Sequence, residues 1–434
     1  MEEVVEFSLP RETGLLEVAL PRGWLGKWLE PPPVTPASDP GRSIQVAMDH
    51  PIGSPKIEEL ARPGQKVAVI VDDATRHTPV NLVLPFLLER LNSAGVPDRD
   101  ICLVIALGTH LPMSKTEIVA RIGAKMFERL QVEQSASGAD REMIYLGQSV
   151  NGIPAWVHRA VVEADLRIGL GMITPHMDAG FSGGAKIILP GVCGKATVDE
   201  FHARAVDNLD NPLGNSEAPL RLELEAFVQE QIPLHFLVNL ILTMDGEIFQ
   251  VVAGDAITAH RKGVFFARQV YGATTDRRYA VVLANCAPYQ QDLWQSFKGM
   301  WSGDLITAEG GTLIWVTQAP GGHQHYPHLL EYLGNDPHSL MLRLDRGELD
   351  DLASAATGIL VGMKKKRMHI SMVSQGISED EAAVMGVDWY PTVELAVADA
   401  AQRLSLQNTP GFLAVLPYAG VTLPLIKEAP ILNP

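Results

Sequence analysis

Two uninterrupted apolar runs, Lys66-Val-Ala-Val-Ile-Val71 and Ile101-Cys-Leu-Val-Ile-Ala-Leu107, constrain the fold more than anything else in the chain. A strand with one wet face alternates apolar and polar residues. A strand that is apolar throughout must be covered on both faces, as in a parallel sheet with helices on each side. Each run ends in a polar tip, Asp72-Asp73-Ala74-Thr75-Arg76-His77 after the first and Gly108-Thr109-His110 after the second. A helix through Leu82, Leu87, Leu88 and Leu91 follows the first tip and stops at Gly95. After the second tip, Ser114-Lys-Thr-Glu117 forms a capping box that opens another helix. Strand, polar tip, helix, repeated, predicts an α/β protein whose ligands sit beyond the carboxyl ends of the strands.

Similar runs recur at Tyr279–Ala284, Gly311–Thr317, His369–Val373 and Phe412–Leu416, with helices between them that include Thr392–Leu404. At 434 residues the chain exceeds the ~250–300 that one core usually encloses. The expected organisation is two α/β domains with largely parallel, helix-flanked sheets and the active site in the cleft between them. Residues 1–270 form the N-terminal domain and 278–420 the C-terminal one, with a tail, 421–434, returning to the first. The junction is expected at 268–277. Residues 1–30 read as a hairpin turning near Glu12-Thr-Gly14. Residues 219–230 read as helix and His235–Leu242 as a strand.

A hydrophobic content of 46% with 20% charged residues describes an ordinary globular chain. The net charge of −16 offers no basic footprint, so neither nucleic acid nor an anionic membrane is expected as a partner. A small anionic substrate feels only local charge and is not excluded. Cys102, Cys193 and Cys286 are far apart and form no CxxC pair, as expected of reduced thiols. The acidic start, MEEVVEFSLP, does not resemble a signal peptide, and no run of 18 apolar residues is present. A cytoplasmic location is expected.

The chemistry concentrates in Gly169–His202, GLGMITPHMDAGFSGGAKIILPGVCGKATVDEFH, where His176, Lys186 and His202 stand among glycines and prolines. Gly183 and Gly184 permit backbone angles closed to other residues and let another molecule approach the main chain. Gly191-Val-Cys-Gly-Lys195 is too short for a phosphate-binding Walker loop and lacks its Ser/Thr. With the Walker loop set aside, Lys186 remains open to two readings: an imine-forming lysine, as in pyridoxal phosphate enzymes, or a solvated lysine in a structural turn. Thr197-Val-Asp-Glu200 is expected to cap the next helix and set His202 in its first turns. Arg76 either holds a carboxylate or phosphate through two parallel bonds or pairs with Asp72 or Asp73. His110 and His176, each at a strand tip, can exchange a hydroxyl proton near neutral pH. Gln295 and Lys298 share one face of a helix, which taken alone reads as solvated. Gly321-Gly-His-Gln-His325 with His328 matches no zinc spacing. Lys364-Lys-Lys-Arg367 reads as a solvated charge run.

In chain order, Asp73-Ala-Thr-Arg76, Gly108-Thr-His110, Thr174-Pro-His176, Gly180-Phe-Ser-Gly-Gly-Ala-Lys186, His202 and Gln295-x-x-Lys298 resemble the motifs of the lactate racemase family of nickel-pincer nucleotide enzymes. The resemblance spans essentially the whole chain. It implies an isomerase that racemises or epimerises a 2-hydroxy acid by reversible hydride transfer. The implied cofactor is a nickel-pincer nucleotide, a nicotinic-acid-derived mononucleotide with two sulfur groups and a carbon-bound nickel. Lys186 would tether it and His202 would ligate the metal, a donor set that suits square-planar nickel. Asp73, Ala74, Thr75 and Arg76 would contact the cofactor. Arg76, Gln295 and Lys298 would hold the substrate, with His110 and His176 as the two acid/bases. Cofactor-making enzymes are implied as transient partners, and a homo-oligomer is compatible. Trp294 stands where a lactate enzyme is expected to carry tyrosine, and His77 where proline is more usual. Lactate, a larger 2-hydroxy acid and a sugar acid therefore all stay open. The rival readings are a lysine-imine, pyridoxal phosphate-type enzyme and a non-catalytic binder of hydroxy or sugar acids. Protein co-expressed with the cofactor-making enzymes should carry nickel and added mass on Lys186. An unmodified Lys186 with no nickel, by intact mass and metal analysis, would contradict the family reading.

Overall fold

The computed structural model describes residues 3–136, 138 and 140–427. The chain opens with a hairpin, β1 (Val4–Pro10) against β2 (Leu15–Pro21), turned by a backbone bond between Arg11 and Gly14. A short strand, β3 (Leu25–Trp28), follows. The first apolar run becomes β4 (Val67–Asp72), buried at every residue, and the second β5 (Ile101–Gly108). The helix Val80–Ser93 lies between them, and the Ser114/Glu117 capping box forms as expected. Next come β6 (Gln131–Ala136), the hairpin β7 (Met143–Gln148)–β8 (Pro154–His158), β9 (Leu166–Met172) and a two-residue pair, β10 (Pro175–His176) with β11 (Gly180–Phe181). Strands β12 (Phe236–Leu242) and β13 (Ile248–Gly254) complete the first sheet.

That sheet has the order β13-β12-β9-β4-β5-β6 and is parallel except for β12 against β13. From β4 the chain builds outward through β5 and β6, then returns to the other side of β4 to lay down β9 and β12. The gap between β4 and β9 is therefore the point at which the order reverses, where an open α/β sheet offers a crevice at its carboxyl edge. Asp73, Arg76 and His176 follow these two strands directly.

The helix Thr258–Tyr271 leads through β14 (Gly272–Thr275) into the second sheet. It contains β15 (Tyr279–Asn285), β16 (Thr307–Thr317), β17 (His369–Ser374), β18 (Asp388–Trp389) and β19 (Leu413–Leu416), all parallel, with β3 added beside β19. Here the order reverses between β15 and β19, and the helix Leu293–Ile306 leaves the carboxyl side of β15. The grouping of residues 1–30 with the N-terminal unit is thus corrected at one point. Leu9, Val18 and Leu20 join the apolar cluster of Leu283, Val316 and Leu413, so the first hairpin covers the second sheet. The last strand, β20 (Leu423–Ile426), pairs with β14 beside the junction, and 428–434 of the expected tail lie outside the described residues. One apolar cluster runs from Ile173, Ile241 and Val252 of the first unit to Phe297, Trp301 and Trp315 of the second.

Two local expectations are overturned. The helix after the glycine-rich segment runs from Lys195 to Ala203 behind Gly194, three residues earlier than a Thr197 cap would start it. Thr197 Oγ1 instead accepts the Trp156 amide and donates to the Pro154 carbonyl, pinning the helix to β8. His202 consequently sits in the last turn. The run Lys364–Arg367 is not a solvated face either. Lys364 is buried against Asp304 at 2.8 Å, Arg367 joins the same carboxylate, and Lys365 caps the carbonyls of Leu333 and Met385.

The 293–306 helix is buried on almost every side and approaches β15 and β16 through Gly299 and Gly303. A Cβ on Gly299 would lie 2.6 Å from Cys286 Sγ. In an open helix, Gly→Ala stabilises by about 0.5–1 kcal/mol. Here Gly299→Ala should reverse that sign and cost about 1–3 kcal/mol through overpacking, read as a lower denaturation midpoint.

Candidate active site

Both order reversals face a single cavity enclosing about 940 Å³, walled by the tips of β4, β5 and β9, the glycine-rich segment and the 293–306 helix. Arg76, His110, His176, Lys186, His202, Gln295 and Lys298 all line it, and so does Asp73. Ala74 is exposed, and neither it nor Thr75 is part of the wall.

At the first tip, Asp73 accepts the Thr75 amide at 3.0 Å and its hydroxyl at 2.6 Å through Oδ1. Its other oxygen receives His110 Nδ1 at 2.5 Å. The His110 bond, with help from Arg76, holds the Asp73 carboxyl at about 2 against the opposing effect of burial. Asp73 thus serves His110 directly. The Arg76 guanidinium donates only to Thr75 and has no carboxylate partner among the described residues, because Asp72 is taken by Arg121 and Thr78. Arg121 also donates to the carbonyls of Asp72 and Arg76, fixing the whole tip.

Across the cavity, Gln295 extends Nε2 to 3.4 Å from His110 Nε2 while its Oε1 accepts Lys298 Nζ at 2.6 Å. Since Gln295 Oε1 is the acceptor, its amide is the donor, and His110 Nε2 presents a lone pair. The Lys298 ammonium lies 3.5 Å over the Tyr289 ring, and burial with Arg76 and Lys186 nearby pulls its pKa well below the ordinary lysine range. The side chains of Gln295 and Lys298 therefore face the site, not solvent. Trp294 stacks on Tyr326 at 4.2 Å beside them.

His176 is arranged the other way round. Its Nδ1 accepts the backbone amide of Asp178 at 3.2 Å, so the neutral ring carries its proton on Nε2. Burial and the surrounding cations hold it neutral. His202 donates from Nδ1 to the Val198 carbonyl at 2.9 Å, leaving Nε2 with a free lone pair. Burial, then Lys186, lowers it to about 4. Lys186 is not the solvated lysine of a surface turn: burial and Arg76 depress its pKa, with Asp178 opposing.

The segment carrying Lys186 is held by residues that sequence reasoning missed. Arg221, fully buried, donates to the carbonyls of Ala179, Phe181 and Gly183. His260 Nε2 donates to the Ser182 carbonyl at 2.9 Å, and Asn239 Oδ1 accepts the Gly184 amide at 2.8 Å. Gly183 and Gly184 have φ of +73° and +63°, and a Cβ on either would strike Asn239 or the His260 ring. A signal for Arg221 existed: with Glu225 it interrupts the apolar face formed by Leu220, Leu224 and Val228 of its helix.

Fold and site together define a two-sheet α/β protein with a desolvated, cation-rich cleft for a small anionic ligand. Residues 12–213 match the family model described as the lactate racemase N-terminal domain. The chain is 28% identical over 367 residues to a lactate racemase of Lactiplantibacillus plantarum, covering 83% of this chain and 86% of that one. It is 27% identical over 285 residues to one from Thermoanaerobacterium thermosaccharolyticum, 64% of this chain and 66% of that one. Among solved structures, the lactate racemase apoprotein of the latter organism superposes with a TM-score of 0.85 at 24% identity, covering 98% of this chain and 100% of that one. A Thermotoga maritima protein gives 0.69 at 20% identity, with coverage of 92% and 100%. Over most of its length the chain is thus similar to lactate racemases, and its fold is that of the lactate racemase apoprotein. No helix among the described residues is long and apolar enough to cross a membrane.

A histidine in the unfolded chain takes up its proton near pH 6.5, whereas buried His260 is held well below that by desolvation and Arg221. The unfolded state therefore binds the proton first, and stability is lost as pH falls below about 6.5. His260→Gln keeps a donor for Ser182 without a titrating ring. Its melting temperature should fall less steeply than that of the parent between pH 7 and 5.

Proposed function

We propose that this racemase-family chain inverts C2 of a 2-hydroxy acid, with His110 and His176 as the two proton-handling groups and a lysine-tethered nickel-pincer nucleotide as its cofactor. The observation that carries the reading is the opposite polarity of the two imidazoles in one cavity. His110, with Nδ1–H on Asp73, offers a basic Nε2, and His176, with Nδ1 accepting an amide, offers an acidic Nε2–H.

The residues fit the implied cofactor. His202 has its Nδ1 proton bonded to a carbonyl, which leaves Nε2 as a single metal-ready nitrogen. Among the described residues no three His, Cys, Asp or Glu side chains cluster for a metal, so the remaining ligands would come from the cofactor itself. Lys186, depressed by burial, supplies an amine with substantial nucleophilic character at neutral pH. The carboxylate-free Arg76 suits the nucleotide phosphate or the substrate carboxylate. When bound, the cofactor would supply hydride acceptance and return at C2, chemistry that no side chain here possesses.

The chain's own residues do the rest. The substrate carboxylate draws Lys298 Nζ and Gln295 Nε2 toward itself. The second shift withdraws the amide that occupies the His110 lone pair, so binding the acid uncovers the base. His110 Nε2 then takes the hydroxyl proton, and Asp73 stabilises the resulting imidazolium. His176, whose Nε2 carries the proton while Nδ1 accepts the Asp178 amide, is placed to donate to the oxygen of the opposite enantiomer and return a proton to it.

His110→Ala and His176→Ala should each lower racemisation by about 10²–10⁴-fold while leaving the added mass on Lys186 intact. Asp73→Asn should lose activity on the same order with the cofactor still attached. Near-normal racemisation by either histidine variant, followed by chiral product analysis, would refute the two-base assignment.

A further inference from the structure

We propose that Asp178 determines the substrate, and that the acid it selects carries further hydroxyl groups beyond C2. The proposal rests on the racemase reading above and deepens it. Asp178 lies in the turn between β10 and β11, two residues after His176. Its backbone amide orients His176, but its carboxylate lines the cavity and finds no hydrogen-bond donor among the described residues. The nearest ring nitrogen, His176 Nδ1 at 3.9 Å, already accepts the Asp178 amide and has no proton to give.

Every neighbouring buried carboxylate is taken up by protein. Asp72 has Arg121 and Thr78, Asp73 has His110 and Thr75, and Glu225 has Arg261 at 2.7 Å. Asp178 alone, with its side chain 13% exposed, is presented to the cavity unpaired. Lys186 and Lys298 offset part of its charge, but neither reaches it with a hydrogen bond. The donor that satisfies Asp178 must then come from the ligand. A methyl group, as in lactate, would leave a desolvated carboxylate without a partner. A second carboxylate would meet like charge, and an ammonium group would meet the field of Arg76, Lys186 and Lys298. A hydroxyl donates without adding charge. Asp178 also borders a second, narrow pocket whose wall mixes Arg204, Asn208 and Asp210 with Leu220, Trp301 and Leu360. Sites built to bond a substrate hydroxyl reject analogues lacking it by as much as about 10⁴-fold.

The test uses protein loaded by co-expression with the cofactor-making enzymes, with loading checked by mass and nickel content. D-gluconate, D-lactate and L-malate are compared by chiral product analysis. Gluconate should exceed both others in kcat/KM by at least about 10²-fold. Asp178→Ala keeps the amide that orients His176. It should shift the gluconate-to-lactate ratio toward lactate by about 50-fold or more, mainly through the gluconate KM, and Asp178→Asn should restore part of it. A variant that lowers both acids equally would make Asp178 structural and overturn the assignment. So would a parent enzyme that turns over lactate or malate as well as gluconate. If fully loaded protein inverts none of the three acids, the racemase reading fails along with this one.

Discussion

A loop can be buried only if its backbone groups find partners inside the protein. Residues 172–192 form such a loop, buried along almost their whole length. Arg221 takes three of its carbonyls, His260 a fourth, and Asn239 accepts one of its amides. Ser182 Oγ accepts the Thr174 amide and donates to the Met172 carbonyl. The groups that satisfy the loop also forbid side chains at Gly183 and Gly184. The glycine pair and its partners are therefore one device, whose outcome is the fixed position of Lys186 inside the protein. Arg221 is held in turn by Glu225, which Arg261 grips through both oxygens. Such a buried network specifies one arrangement because each incomplete alternative leaves a charge unpaired.

The same burial sets the electrostatics. Lys186 and Lys298 are both depressed, first by desolvation and then by Arg76, and Lys298 by Lys186 as well. Arg76, Lys186 and Lys298 share the space with Asp72, Asp73 and Asp178, of which Asp72 is held by Arg121 and Asp73 by His110. The local field thus favours an anion, although the chain as a whole carries −16. An anionic exterior does little to repel a small acid once it is inside a low-dielectric cleft, where the nearest charges dominate. The net charge therefore bears only on large polyanions and says nothing about the site.

Much of this was legible in the sequence because it rests on local pattern. Apolar runs with polar tips gave β4, β5, β15 and β17 to within a residue at each end, and the carboxyl end of β16, which begins four residues before the expected Gly311. Turn glycines and the Ser114 box depend only on neighbours. What could not be read depends on distant partners. Thr197 looked like a cap because three residues separate it from a glutamate, but the edge of β8 offers its hydroxyl a better bonded position. Lys364 looked solvated because it sits in a charge run, yet Asp304, sixty residues away, makes its burial affordable. β3 joins the far sheet because β19, the last strand of that sheet in the chain, leaves an edge open. Arg221 was visible as a charge on an apolar stripe, but only the folded loop shows which carbonyls it serves.

On the proposed reading, the two sheets also divide the labour of proton handling in a way that neither could manage alone. Asp73 and His110 come from adjacent tips of the first sheet, and their bond would orient the ring even in isolation. The far side of that ring meets Gln295 and Lys298 from the second. A hydrogen-bonded chain from Asp73 through His110 and Gln295 to Lys298 therefore crosses the cleft, ending in an anion at one end and a cation at the other. Any carboxylate that enters competes for its cationic end, and each bond it takes is charge-assisted, stronger than the neutral amide-to-imidazole contact it displaces. The exchange is favourable for an acid and unfavourable for water or an uncharged alcohol. Recognition of the carboxylate and exposure of the base are in that sense the same event, and His176, whose polarity is fixed by its own loop, stands outside it.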